Sequence, residues 1–286
     1  MAVFSGLGGY FAVEYFTNGV IAPRDFGLAL CPTMPAMNKP NHPVICWHEA
    51  GQAKSARWRS EAGIAPHTAL EIADDRTSAD AAYRTLESGT ALLWRGDWVN
   101  GRHLLQALTK RADRRFGAVR GKAPKTAAEV FARHRQQQGL RAALLGRLLV
   151  PLAADYSVTL RRAQDVREAC VAAYGAPGGE DSLVSLRELL AVVSAHEWRK
   201  KGVPVPAVQG RIHPHYGVFS PVRGEYVDLV ATAPLPAGCD LAFDIGTGSG
   251  IIAAVLARRG VKRIVATDQD DRALACASEN ARNLGL

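Results

Sequence analysis

The spacing of apolar positions predicts helices over the middle of the chain, from about residue 55 to residue 202. Within this stretch Leu104, Leu105 and Leu108 recur at the three- and four-residue intervals that place side chains on one face of a helix. Residues 1–54 show no sustained period, and prolines interrupt their second half. We therefore predict an irregular N-terminal extension over residues 1–54 and an all-helical, substrate-recognition domain over residues 55–202.

Two hydroxyl residues mark where helices of this domain begin. Thr126 stands three residues before Glu129, and Ser185 stands three residues before Glu188. This is the spacing of a capping box, in which the hydroxyl oxygen accepts an N–H of the first helical turn. The second of these helices is expected to end at Gly202, because glycine readily adopts the left-handed backbone that closes a helix.

From Val203 the pattern changes from helical to extended. Val203 and Val205 alternate with prolines, and a proline disfavours helical geometry in the residue before it. We predict a β-hairpin here, followed by a helix that begins at Glu225. Together they form a connector over residues 203–239.

The C-terminal segment, residues 240–286, alternates between short apolar runs and helical periodicity. Strands that alternate with helices in this way indicate a parallel sheet with crossover helices. The fold class that we expect is α/β, with residues 240–286 as part of a Rossmann-like domain. The predicted strand, helix, strand and helix cover residues 241–245, 251–259, 263–267 and 270–284.

Between the first strand and the first helix of this segment, glycine alternates with other residues. Glycine allows a tight turn and the close approach of a ligand to the backbone, and the N-terminus of the next helix offers free N–H groups to an anion. The carboxylate of Asp244, before the loop, can accept an ammonium group. We predict that a ligand binds along Asp244, Ile245, Gly246, Thr247, Gly248 and Gly250.

A second acid stands at the end of the next predicted strand. Asp268 follows Gly250 by 18 residues, close to the roughly 20-residue offset of an acid that binds ribose hydroxyls in this topology. Gln269 is expected near the adenine edge. A dinucleotide site would place a third glycine where Ile251 stands, and a phosphate loop would require Gly-Lys-Ser/Thr. The pattern therefore favours S-adenosyl-L-methionine as the cofactor.

At these residues the sequence resembles the class I methyltransferases that carry a small-domain type of catalytic module. It is similar in particular to the glutamine methyltransferases of peptide release factors, which join an N-terminal helical domain to a Rossmann-like domain through a β-hairpin. The resemblance implies an S-adenosylmethionine-dependent N-methyltransferase acting on a macromolecule. It also implies that Arg223 closes over the cofactor, although Arg223 could equally pair with Glu225. The resemblance rests on residues 243–250, 266–268 and 275–286.

These relatives carry an acceptor-positioning motif, Asn/Asp-Pro-Pro-aromatic, after the fourth strand of the sheet. No such run follows the glycine loop in this chain. The catalytic residues are therefore expected beyond residue 286 and are not identified. We expect the 286 residues to be an incomplete sequence that binds cofactor weakly and does not transfer methyl groups by itself.

Positive charge is concentrated in the predicted helical domain. The chain has a net charge of +8, and residues 101–150 contain twelve Lys and Arg against Asp113 and Glu129. Such a region either attracts a polyanion, RNA above all, or is the solvated surface of an arginine-rich protein. Trp94 and Trp98 could stack on RNA bases, but burial is the simpler expectation.

The basic region leaves two alternatives to protein methylation open. One is a ribosomal-RNA base methyltransferase. The other is a helical RNA- or protein-binding module with a non-catalytic cofactor domain. Salt-sensitive RNA binding by residues 55–202 would favour RNA as the partner.

The sequence gives little support for a metal site, a disulfide framework or a membrane span. The five cysteines are scattered without a Cys-x-x-Cys pair, which is typical of a protein of the reducing cytoplasm. His213 and His215 share a face of an extended segment, but a third ligand is not close in sequence, so we expect no metal site. A run of about 18 apolar residues, which would predict a membrane span, does not occur.

Overall fold

In a computed structural model, the chain is described over residues 3–7, 10–16, 42–117, 126–222 and 224–286. It divides into two compact units. No helix in the described ranges is long and apolar enough to cross a membrane. The strands are β1 (Val3–Leu7), β2 (Tyr10–Phe16), β3 (Val44–Glu49), β4 (Gln52–Arg59), β5 (Leu70–Ala73), β6 (Ala91–Trp94), β7 (Leu148–Leu152), β8 (Ser182–Ser185), β9 (Val203–Val205), β10 (Gly210–Ile212), β11 (Leu241–Ile245) and β12 (Arg263–Asp268).

Helices alternate with these strands in both units. A single turn of 3-10 helix, Pro206–Val208, lies between β9 and β10. The α-helices are α1 (Ala79–Glu87), α2 (Trp98–Gly117), α3 (Ala127–Leu145), α4 (Arg167–Tyr174), α5 (Leu186–Lys201), α6 (Glu225–Thr232), α7 (Ile251–Arg258) and α8 (Asp271–Asn283).

The unit Met34–Val193 is built on a six-stranded mixed sheet. Its strand order is β3-β4-β8-β7-β6-β5. The pairs β4–β8, β5–β6 and β6–β7 are parallel, whereas β3–β4 and β7–β8 are antiparallel. Every residue of β6 is buried. Leu92 and Trp94 belong to one hydrophobic cluster and Ala91 and Leu93 to another, because successive side chains of a strand point to opposite faces of the sheet.

The prediction of an all-helical domain over residues 55–202 is wrong. Helices α1 to α5 form there, but β5 to β8 and most of β4 lie in the same stretch. A strand that is buried on both faces is a continuous apolar run, such as Ala91–Trp94 or Leu148–Leu152, and lacks the alternation that separates a strand from a buried helix. Periodicity alone therefore cannot distinguish these short runs from segments of buried helix.

The two predicted capping boxes have different outcomes. Thr126 Oγ1 accepts the N–H of Glu129 at 3.2 Å, which confirms the first. The second is wrong, since Ser185 lies at the end of β8 and its buried hydroxyl has no hydrogen-bond partner among the described residues. The Glu188 carboxylate instead accepts the Tyr174 hydroxyl and the N–H of Glu61. The predicted stop of α5 at Gly202 is confirmed by a φ of +69°.

The other unit, Met1–Thr33 with Ser194–Leu286, contains the predicted βαβ segment. β11 and β12 are parallel neighbours, with α7 as the crossover between them. This confirms the α/β class and the partial Rossmann-like arrangement. The predicted hairpin is also confirmed, because β9 pairs with β10 in antiparallel register. Buried Val205, Val208 and Ile212 of the hairpin share a hydrophobic cluster with Val227 of α6 and Val255 of α7.

Two strands near the N-terminus extend this sheet, so the irregular extension predicted over residues 1–54 is wrong where the structure describes it. Its segment 17–41 lies outside the described residues. The strand order is β1-β2-β12-β11, and β2 runs antiparallel to β12. β3 and the start of β4 also fall within the predicted extension. β2 pairs with residues far away in sequence, which a search for local periodicity does not detect. The aromatic and β-branched residues of Tyr10–Phe16 are nevertheless typical of strands.

Candidate cofactor site

The loop from β11 to α7 turns on three glycines with left-handed backbone geometry. The φ angles of Gly246, Gly248 and Gly250 are +77°, +55° and +79°, values that residues with a side chain rarely adopt. A Cβ on Gly246 or Gly248 would meet no atom of the described residues within 4 Å, whereas a Cβ on Gly250 would lie 3.0 Å from Ala277 of α8. The first two glycines leave open space beside the loop, and the third lets the loop pack against α8.

Backbone hydrogen bonds attach this loop to the end of β12. The N–H groups of Gly246 and Thr247 donate to the carbonyl oxygen of Thr267 at 2.8 and 2.9 Å. The N–H of Gly248 donates to Oδ2 of Asp268 at 2.9 Å. The structure thus brings the glycine loop and the second predicted acid together, and Asp268 lies half-buried at the edge of the open space.

Asp244, the first predicted acid, holds the loop to the start of α7. Its Oδ2 accepts the hydroxyl of Thr247 at 2.8 Å and the N–H of Ala253 at 3.1 Å. Burial raises the pKa of the Asp244 carboxyl above its ordinary value, the two hydrogen bonds oppose that change, and the nearby charge of Asp268 adds to it. Two carboxylates that face one loop favour a ligand with positive charge.

Tyr226 of α6 is a site residue that the sequence did not indicate. Its hydroxyl oxygen is buried and has no hydrogen-bond partner among the described residues. Burial raises the pKa of the Tyr226 hydroxyl, and the charge of Asp244 raises it further, which places the two groups near each other. A buried hydroxyl without a partner costs free energy and suggests that a ligand atom completes its hydrogen bonding. Its only sequence signal is its position directly after Glu225, where the predicted helix begins.

Asn280 of α8 is a second residue that sequence reasoning missed. Its side chain is buried, and Nδ2 donates to the carbonyl oxygen of Ser249 at 3.0 Å. Its Oδ1 accepts the N–H of His213 at 2.7 Å. Asn280 therefore connects the glycine loop to the segment that follows the hairpin.

The two histidines after the hairpin make hydrogen bonds to protein groups. His215 Nε2 lies 2.8 Å from Oε2 of Glu279, and Arg199 Nη2 contacts the same oxygen at 2.6 Å. His213 Nδ1 lies 2.7 Å from the carbonyl oxygen of Arg199. No group of three His, Cys, Asp or Glu that could hold a metal ion occurs in the described part of the chain.

The remaining predicted cofactor residues lie at the rim of the site or outside the described residues. Ile245, at the end of β11, has 71% of its surface exposed. Gln269 is exposed directly after Asp268. Arg223 lies outside the residues that the structure describes, so its predicted contact with the cofactor stays a prediction.

A comparison with protein families finds a match in this part of the chain. Residues 235–284 match the family model of the ribosomal protein L11 methyltransferase (PrmA). The matched stretch runs from before β11 almost to the end of the chain and includes Asp244, the glycine loop, Asp268 and Asn280. No curated protein matches the chain with significance.

The residues of the site fit the cofactor that methyltransferases of this type use, S-adenosylmethionine. This molecule carries a sulfonium and an ammonium cation, which suit the two carboxylates. Its methionine carboxylate suits the positive end of the dipole at the start of α7. The open space beside Gly246 and Gly248 and the unsatisfied Tyr226 hydroxyl provide room and a further polar contact. When bound, S-adenosylmethionine supplies an activated methyl group.

Proposed function

We propose that the methyl acceptor of this S-adenosylmethionine-dependent methyltransferase of class I is a nitrogen of a ribosomal protein. The match of residues 235–284 to the family of ribosomal protein L11 methyltransferases carries the proposal. The unit Met34–Val193 lies outside the matched residues. In the proposal, that unit recognises the macromolecular substrate.

The residues around the loop would each hold one part of the cofactor. Asp268 would accept hydrogen bonds from the ribose hydroxyls, and Gln269 would lie by the adenine. Asp244 would attract the ammonium group, with Tyr226 as an additional hydrogen-bonding partner. The start of α7 would bind the carboxylate.

Methyl transfer to nitrogen is an in-line displacement. The N–C bond forms as the S–C bond breaks, and the nitrogen then loses a proton. The reaction needs an aligned lone pair and does not need a covalent enzyme intermediate. The contribution of the described site is therefore to fix the methyl donor in one orientation toward the acceptor.

A glutamine nitrogen of a peptide release factor is the second candidate acceptor. The order of elements supports it, because the antiparallel pair β9–β10 and helix α6 precede the glycine loop. The release-factor enzymes, which the sequence resembles, have a hairpin connector at the same place. The hairpin says nothing about which protein is bound, so this candidate ranks below the ribosomal protein.

Isothermal titration calorimetry with S-adenosylmethionine tests the cofactor site in the 286-residue chain. Asp268→Ala removes the acid proposed for the ribose, and charge-assisted hydrogen bonds of this kind contribute about 1.5–3 kcal/mol. We expect the affinity to fall by about 10- to 150-fold. Asp271→Ala, an exposed acid at the start of α8, is the matched control and should bind like the wild type. Absence of binding by the wild-type chain would reject the proposed function and favour a non-catalytic binding module.

Mass spectrometry of cells with and without the gene tests the acceptor. We expect one ribosomal protein to lose a methyl group when the gene is deleted. Loss from a release factor would establish the second candidate instead. Loss from ribosomal RNA would show that the enzyme methylates a base, and both protein proposals would then be rejected.

A further inference from the structure

Helices α2 and α3 carry the basic charge that the sequence concentrates in this region. Together they hold eight Lys and Arg against two acidic residues. Ion pairs define two faces of α2, one toward α1 and one toward α3. The pairs are Arg111–Asp80 and Arg115–Glu87 toward α1, and Asp113–Arg141 toward α3.

The outward face of α2 lies between these two sets of ion pairs. It presents Lys110 and Arg114, which are four residues apart on one side of the helix and are both exposed. Arg114 also lines a shallow, open groove at the surface of α1 and α2, together with Asp80, Tyr83, Arg111 and Arg115. Arg111 and Arg115 are paired with Asp80 and Glu87, so the phosphates of a polyanion would be bound mainly by Arg114 and Lys110.

Most of α3 projects away from the core of its unit. None of the described residues 126–140 is buried, and only Leu144 and Leu145 at the other end enter the hydrophobic core. Because this helix of 19 residues is about 28 Å long, its N-terminal part forms an arm. A solvated helix of this kind gains little from packing, which favours a partner that covers it.

An exposed aromatic ring lies on this arm. Phe131 is 62% exposed, and the guanidinium carbon of Arg135 lies 5.9 Å from the centre of its ring. A ring with a guanidinium beside it is suited to stacking on a nucleobase. Trp94 and Trp98, the aromatic residues near the basic region in sequence, are both 2% exposed and cannot serve this purpose. The expectation that they are buried is confirmed.

We propose that α2 and α3 form an RNA-binding surface. Lys110, Arg114 and the groove bind phosphates, and Phe131 stacks on a base of single-stranded RNA. An acidic protein would also pair with the cations, but the open ring of Phe131 favours a planar base above it. The proposal concerns the unit Met34–Val193 and does not rest on the proposed methyl acceptor.

Fluorescence anisotropy of a labelled single-stranded RNA of roughly 20 nucleotides, titrated with the full chain, measures this binding at several salt concentrations. Each phosphate contact contributes about 0.7 to the slope of log K against log salt. The double variant Lys110→Gln/Arg114→Gln removes two positive charges, so we expect it to reduce that slope by about 1.4. The control is Arg187→Gln with Arg282→Gln, which removes the same charge from exposed positions outside α2 and α3.

The stacking contact is tested separately by Phe131→Ala. We expect binding to weaken by about 5- to 150-fold with the salt slope unchanged, since no charge is removed. Val130→Ala is the matched control, because Val130 is also exposed on the arm and has no ring. Phe131→Trp should retain binding. Since these side chains are exposed, all variants should keep the wild-type circular dichroism spectrum.

Three results would overturn the proposal. The first is a wild-type chain that fails to bind the RNA at about 50 mM salt. The second is that the charge variant and Phe131→Ala bind as tightly as the wild type. The third is that polyglutamate displaces the RNA as efficiently as unlabelled RNA of equal charge. The surface would then be a site for acidic proteins.

Discussion

The buried amide of Asn280 donates a hydrogen bond from Nδ2 to the carbonyl oxygen of Ser249 at 3.0 Å, so α8 holds the end of the glycine loop. The same side chain accepts the N–H of His213 at 2.7 Å. The side chain of Asn280 therefore connects α8 to both the glycine loop and the segment after the hairpin. The loop geometry on which cofactor binding depends is supported from α8 as well as from β12.

Replacing Asn280 by Ala should destabilise this unit. The carbonyl of Ser249 and the N–H of His213 would lose their partners, and each unsatisfied buried group costs about 1–3 kcal/mol. We expect the free energy of unfolding to fall by about 2–4 kcal/mol, measured by urea denaturation. Asn283→Ala, at an exposed position of the same helix, should leave the midpoint unchanged. Equal midpoints for the two variants would contradict the role assigned to Asn280.

Asp244→Asn should separate stability from cofactor binding. Asparagine keeps an oxygen for the Thr247 hydroxyl and the Ala253 N–H but removes the charge. Burial raises the pKa of Asp244 in the folded state, so the ionised carboxylate reduces stability as pH rises through that pKa. The variant should therefore be at least as stable as the wild type at neutral pH. This difference in stability between the variant and the wild type should vanish below about pH 3.9, the pKa of an aspartate in the unfolded chain.

The same variant should bind S-adenosylmethionine more weakly. Loss of a charged partner for the ammonium group is expected to lower the affinity by about 10- to 150-fold in calorimetry. Asp240→Asn removes an exposed acid just before β11, where the side chain pairs with Lys262, and should leave the affinity unchanged. Unchanged affinity in Asp244→Asn would show that the acid only supports the loop.

His215 should make stability depend on pH. Burial lowers the pKa of His215 below its ordinary value, and the hydrogen bond to Glu279 opposes that change. A histidine with a lowered folded pKa contributes stability above its unfolded pKa of about 6.5 and loses it as pH falls toward the folded value. The urea midpoint should therefore decrease between about pH 7 and pH 5.

His215→Gln should flatten this decrease, because the side chain can still donate to Glu279 but does not titrate. Some pH dependence should remain from His67 in the other unit, whose pKa is also lowered by burial. His134→Gln, at an exposed position of α3, is the control and should retain the full decrease. A variant at His215 with the wild-type pH dependence would refute the prediction.

Tyr226→Phe should weaken cofactor binding without reducing stability. The hydroxyl has no partner among the described residues, so its removal takes away an unsatisfied buried group and should keep or raise the urea midpoint. If the cofactor completes its hydrogen bonding, the affinity should fall about 2- to 12-fold, the equivalent of one hydrogen bond of about 0.5–1.5 kcal/mol. Tyr83→Phe makes the same change in α1 and should not alter the affinity. Wild-type affinity in Tyr226→Phe would exclude the residue from the site.

The glycine loop and its two acids could be predicted because the signals are local. Left-handed backbone at Gly246, Gly248 and Gly250 excludes most other residues. The βαβ order places the carboxyl ends of two parallel strands side by side, and Asp244 and Asp268 stand at those ends. The start of α3 at Thr126 and the end of α5 at Gly202 are predictable for the same reason, since a capping hydroxyl and a glycine are local signals. The cofactor is therefore a property that the sequence indicates by itself.

The sheet of the unit Met34–Val193, the strands near the N-terminus and the supporting residues were decided only by tertiary structure. Strands such as β6 are stabilised by neighbours distant in sequence, and β2 pairs with β12 across most of the chain. Tyr226 lies near Asp244 because α6 packs against α7, and Asn280 reaches the loop because α8 packs against Gly250. Exposure of Phe131 likewise depends on which part of α3 the core covers. Local sequence specifies the backbone a residue can adopt, whereas its partners and its burial depend on contacts that form only when distant segments pack together.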